Sequence, residues 1–179
     1  MAGLGEVVIS GSYGSLYEVA SRGRLYSACN QAVVTTTAGL ATTFTGLAIA
    51  NPATSGVNLV MRAFHVAQSA AAATACSIGV MTGSGAAAGA LVTRNAKVGG
   101  AASPATTASA GATIATPVLE QVLGSLGTLA ATGYGMEPSV VFDLEGSIIV
   151  PPGFYIASYT SAVTTAALQF AFVWEELAV

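Results

Sequence analysis

The stretch "AALQFAFVWEE", Ala166 to Glu176, decides the fold. Side chains alternate across a strand, so Leu168, Phe170, Phe172 and Trp174 share one face while Ala167, Gln169, Ala171 and Val173 share the other. Four large apolar groups at a period of two make a core-facing strand. The opposite face is small and uncharged, whereas a solvated face of an antiparallel sheet carries Lys, Glu or Arg. Ala167, Gln169, Ala171 and Val173 are therefore expected to lie against another subunit or another sheet. Glu175 and Glu176, which follow, read as a polar edge that discourages further strand pairing.

The same texture continues along the chain. Thr, Val, Ala and Gly dominate, and no segment carries a sustained 3.6-residue apolar repeat with caps, which places the chain in the all-β class. Further strands are expected at AVVTTTA from Ala32, TFTGLAIA from Thr43, VNLVMRAFHVAQ from Val57, ATACSIGVM from Ala73, TIATPVLEQV from Thr113, PSVVFDLE from Pro138, GSIIV from Gly146 and GFYIASYT from Gly153. Short strands between turn signals predict an antiparallel sandwich or barrel. QSAAAATAC from Gln68 fits either a short helix or a bulged loop. From about 82 to 112 the chain is too rich in Gly, Ala and Ser to make a core and is expected as one long loop, either a linker or an arm laid over a partner. The opening segment mixes glycines with Tyr13, Tyr17 and Tyr26 and holds Arg22 and Arg24. Residues 1–30 are expected as a pliable N-terminal docking arm ahead of a single β domain over 31–179; the alternative is a first strand with a frayed terminus.

Composition narrows the function. A chain of 179 residues fits one domain that buries roughly 70% of its unfolded surface. Only 7% of its residues are charged and 53% are hydrophobic, against roughly 25% charged in an ordinary soluble domain. Leu25 to Met61 and Gly146 to Trp174 contain no charge at all, yet both are broken by Pro or Gly and crowded with Thr and Ser, so neither is a spanning helix. The first residues lack the cationic-then-apolar order of a signal peptide. Five basic residues and a net charge of −3 argue against nucleic acid, whose affinity rests on clustered Lys and Arg. Cys29 and Cys76 are too few for a disulfide framework and are expected as buried thiols.

Chemistry finds no assembled site. His65 and Asp143 are the single histidine and aspartate, and no G-x-S-x-G elbow accompanies them. Zinc-ligand spacing is absent, so no metal or cofactor is expected. Asp143 and Glu145 share a strand face, so a carboxylate pair is geometrically possible, but a solvated strand end just before Gly146 is the reading preferred for them. "GSGAAAG" from Gly83 lacks the Lys and Ser or Thr that close a phosphate loop. An enzyme is not expected.

In "DLEGSIIVPPGFYIASYT", Asp143 to Thr160, Pro152-Gly153 fits the central positions of a type II turn between two apolar strands. That corner, the closing "FAFVWEE" and the Asn-Pro turn in "GLAIANPATSGVNLVMRAFHVA" together resemble the jelly-roll proteins that decorate the heads of tailed bacteriophages. The resemblance covers about Ala32 to Val179. It implies a jelly-roll-like antiparallel β-sandwich, homotrimers on the capsid surface, the major capsid protein as partner, synthesis in the host cytoplasm and no catalytic residues. Charge-poor faces suit protein partners, since interface cores are depleted of Lys, Glu and Asp. On this reading Tyr13, Tyr17, Arg22, Arg24 and Tyr26 of the arm contact the shell. A receptor- or glycan-binding head of a tail fibre or spike is the alternative, with Tyr134, Tyr155 and Tyr159 as its pocket.

Overall fold

The computed structural model describes residues 15–68, 74–85, 89–126, 139–164 and 168–179. A short helix, α1 (Ser15–Ser21), precedes the strands β1 (Leu25–Cys29), β2 (Thr43–Asn51), β3 (Val57–Gln68), β4 (Cys76–Ser84), β5 (Arg94–Asn95), β6 (Thr107–Thr113), β7 (Val118–Leu126), β8 (Ser139–Asp143), β9 (Ile149–Val150), β10 (Phe154–Thr160) and β11 (Leu168–Ala178). A front sheet runs β5-β1-β11-β3-β8, with β9 also on β3, and a back sheet runs β6-β2-β10-β4-β7. Every pairing is antiparallel, and β5 and β6 sit at sheet edges. Without those two, β1 pairs with β11, β2 with β10, β3 with β8 and β9, and β4 with β7. First strand with last, second with the last but one: this nesting is that of a jelly roll, as the sequence led us to expect.

Between the sheets lies the core. Leu168, Phe170, Phe172 and Trp174 are all buried on the inner face of β11. Phe64 of β3 stacks on Phe172 at 4.7 Å and on Phe170 at 5.8 Å between ring centroids. β2 is buried on both faces from Gly46 onward, which is why its sequence does not alternate. Leu47 and Ile49 point to the central core, whereas Ala48 and Ala50 join Met81, Tyr155 and Ala157 in a second cluster on the outer side of the back sheet.

Two corners set the connections near the C-terminal strands. Phe154 N–H donates to Pro151 C=O at 3.3 Å with Gly153 at φ 86°, so Pro152-Gly153 makes the turn expected of it. Ser147 N–H donates to Leu144 C=O at 2.7 Å, and both central residues, Glu145 at 46° and Gly146 at 80°, have positive φ, as a type I′ turn requires.

Several expectations give way. Of the segment read as an arm, residues 15–30 belong to the sandwich: β1 lies between β5 and β11, and α1 ends in a Schellman motif with Gly23 at φ 71°. There Gly23 N–H donates to Ala20 C=O at 2.9 Å and Arg24 N–H to Val19 C=O at 3.1 Å. The long loop is shorter than expected, because the span 82–112 includes the end of β4, all of β5 and most of β6. No strand forms from Ala32, where only Val34 bridges to Leu168; the chain is crossing between sheets. TIATPVLEQV is cut at Thr116, whose φ is 40°, ahead of Pro117, which has no N–H to give a ladder. Of QSAAAATAC, residues 69–73 lie outside the described residues.

Candidate interaction surface

The outer face of the front sheet is assembled row by row. Ser27, Val173, Ala63 and Asp143 stand side by side across β1, β11, β3 and β8, and Cys29, Ala171, His65 and Val141 form the next row. The expected interface residues Gln169, Ala171 and Val173 are all on this face and half-buried, while Ala167 lies outside the described residues. Cys29 is exposed here, contrary to the buried thiol expected of it, because its position on β1 is outward. Cys76 is buried, and burial pushes its thiol up from the usual 9.0.

A β-bulge shapes one end of the face. Val173 pairs with Ala63 but Trp174 with Met61, leaving Arg62 as the extra residue on β3. Such a bulge re-aims a side chain, and here it turns Arg62 onto Glu175. Arg62 Nη2 donates to Glu175 Oε2, and Arg24 Nη2 approaches Oε1 at 3.6 Å. Glu175 and Glu176 are 4% and 8% exposed in the middle of a sheet, so the polar-edge reading was wrong: β11 is flanked by β1 and β3. A carboxylate can be buried there because each is partnered.

Glu176 points to the core side, next to Trp174. Its Oε1 accepts from Ser103 Oγ, from Thr106 Oγ1 at 2.7 Å and from Trp174 Nε1 at 3.4 Å. Residues 103–106 of the supposed loop are thereby tied to the core. Tyr26 stacks on Trp174 with ring centroids 6.3 Å apart. Its phenol is pushed up from 10.0 by burial and then by the charge of Glu176, with a hydrogen bond to Asn95 opposing both.

The residues expected to contact a partner thus separate. Arg24 and Tyr26 serve the sandwich. Tyr17 is 52% exposed on α1, and Arg22, in the turn just past the helix, pairs with Glu18 at 2.6 Å. Tyr13 lies outside the described residues. Of the pocket tyrosines, Tyr155 is buried and donates its hydroxyl to Ala115 C=O at 2.9 Å, Tyr159 is half-buried, and Tyr134 lies outside the described residues.

Against the same face α1 builds a groove of about 450 Å³. Its wall is Leu16, its floor includes Ala63, His65 and Val173, and Asp143 and Glu145 stand at its rim. Among the described residues no serine or cysteine lines it, so none of them sets a nucleophile beside His65 there. Asp143 and Glu145 are not a catalytic pair on one strand face: Asp143 ends β8 and its Oδ1 accepts from the Glu145 backbone N–H at 3.1 Å, steadying the turn. Among the described residues no group of three or more His, Cys, Asp and Glu could hold a metal ion, and no helix is long and apolar enough to cross a membrane. Sequence reasoning missed Glu175, Glu176, Arg62 and Leu16. Strand parity alone puts Glu176 beside Trp174, and the step from Leu59 and Met61 to Phe64 and Val66 marks the bulge. Comparison of the chain with protein-family models, with curated proteins and with solved structures finds no match, so the functional reading rests on these residues.

Proposed function

We propose that this is a non-enzymatic structural protein of a tailed-phage virion, a decoration or cement protein that binds the capsid surface and stabilises the head. The observation that carries the reading is the outer face of the front sheet, where Ser27, Ala63, Ala171 and Val173 offer small, uncharged side chains on a jelly roll, with Asp143 only at the β8 end of the row. Such a face suits a protein partner and would be unusual facing water. It serves a second copy of the chain, and exposed Tyr17 of α1, with exposed Arg22 in the turn after it, offers a contact to the major capsid protein. Tyrosine supplies contact area and arginine pairs with carboxylates of the shell.

The mechanism is additive binding. A clamp that binds the closed lattice and not its opened form stabilises it by mass action, by about 2.7 kcal/mol per site when free protein is at 100 times its Kd. The test is cosedimentation with emptied heads of the source particle. Wild-type protein is expected in the pellet, and Tyr17→Ala with Arg22→Ala is expected to weaken pelleting while leaving the thermal midpoint in place. Wild-type protein that stays in the supernatant at every concentration overturns the proposal.

A further inference from the structure

All five basic residues fall among the described ones, and three of them are engaged: Arg22 with Glu18, and Arg24 and Arg62 with Glu175. Arg94 and Lys97 make no ion pair with a described residue, and both stand at the β5 edge of the front sheet. Asp143 and Glu145 likewise make none, and they stand at the β8 edge. Four strand spacings separate those edges, about 19 Å at 4.7–4.9 Å each. The cations and the acids of one chain therefore do not meet.

The basic edge also carries an apolar tip. Gly100 N–H donates to Lys97 C=O at 2.8 Å, and Gly99 has φ 84°, so Val98-Gly99 occupies the centre of a tight turn. Asn95 Oδ1 accepts from Lys97 N–H at 2.9 Å and fixes the base of the turn. Val98 is held out at 98% exposed, the most exposed of the large hydrophobic side chains described. At the far edge, the groove under Leu16 has Ala63 and Val173 beside His65 and Arg62, whose guanidinium is already paired with Glu175, and the acids Asp143 and Glu145 at its rim.

We propose that the Lys97-Val98 turn of one copy seats in the groove of a neighbouring copy, Val98 against Leu16 and Val173, and Lys97 against Asp143 and Glu145. The partner is a second copy because this chain presents both halves of the contact and cannot join them in itself. An apolar side chain leaves water, and Lys97, which has no ion pair among the described residues, meets two acids that likewise have none there. Because different patches meet, the contact is head-to-tail, the kind that closes a ring when its rotation allows. The proposal rests on the reading of the front-sheet face as a subunit contact, and the uncharged rows beside the groove extend the same interface.

The test is charge exchange in the full chain, read by sedimentation velocity across concentration and salt. Lys97→Glu and Glu145→Lys alter exposed side chains only, so the thermal midpoint at low protein concentration, where the chains are apart, should hold. Each alone is expected to weaken self-association by about tenfold or more, since like charges then face each other. The two together are expected to restore it, and Val98→Ser is expected to weaken it without changing its salt dependence. Self-association that is untouched by the single changes, or not recovered by the double change, overturns the contact, as does a wild-type chain that stays monomeric. The same variants assayed on emptied heads separate the two claims: head binding with unaltered self-association leaves the proposed function standing without this contact, and self-association without head binding does the reverse.

Discussion

On the back sheet, the outward row of Ala48, Ala50, Met81, Tyr155 and Ala157 is sealed by the chain itself, with Phe44 and Ile114 packed onto it. On the front sheet, the outward rows of Ala63, His65, Ala171 and Val173 stay half-exposed, and α1 screens one end of them. Among the described residues the back face is closed within the molecule and the front face is not, and the proposed function gives the front face to another surface. Gly83 shows how closely the back face is fitted, since a Cβ there would lie 2.4 Å from the Tyr155 hydroxyl oxygen and 2.7 Å from Ala115 C=O. Burial within one chain stabilises the fold, whereas burial that needs a second chain stabilises only the assembly.

The sharpest break of this contrast is a truncation on each face. Tyr155→Ala should lower the unfolding free energy by about 3–5 kcal/mol, as for other buried aromatics, while Val173→Ala should cost the monomer less than about 1 kcal/mol. Urea unfolding of the two variants at low protein concentration measures both. Equal losses would mean that the front face is as closed as the back.

Glu175→Ala tests what supports the bulged end of the front sheet. It leaves Arg24 and Arg62 without their shared carboxylate, and because Arg24 is 43% exposed the loss should be about 2–4 kcal/mol rather than that of a wholly buried pair. The change in the same unfolding free energy checks this; a loss below about 0.5 kcal/mol would place Glu175 in the class of surface ion pairs.

A smaller effect follows from proton binding. Burial raises the Tyr155 phenol above its usual 10.0, so the folded state holds that proton more tightly than the unfolded chain. The resulting stability is complete below pH 10 and is lost as pH rises through the raised value. Tyr155→Phe removes that term, so its unfolding midpoint should fall less between pH 9 and pH 11 than the wild type's. Parallel curves would show that the phenol titrates alike in both states.

Strand parity made most of the fold legible. The four aromatic and aliphatic groups of β11 and the Pro152-Gly153 corner pointed correctly to a sandwich, because burial of one face and the demand for positive φ are written into residue type. The buried glutamates are not legible as such in the sequence, because a charge at a strand's end resembles a solvated edge and the partners of Glu176, Ser103 and Thr106, lie 70 or more residues away. Arg62 was hidden for a related reason. A bulge resets parity, so His65 and Ala63 cannot be assigned to a face until the step at Arg62 is recognised. The outer face of β11 was legible as unusual, but the groove was not, because Leu16 reaches it only through the turn at Gly23.

Sedimentation equilibrium of the wild type beside Ala171→Arg tests the open face most directly. Ala171 pairs with Cys29 and His65 at the middle of that face, where an arginine would place a charge inside any contact. The wild type is expected at a multiple of the 17.6 kDa chain mass and Ala171→Arg at the chain mass itself, with matching thermal midpoints at low protein concentration. A wild-type chain of 17.6 kDa at every concentration, or an Ala171→Arg assembly as stable as the wild type's, would contradict the account.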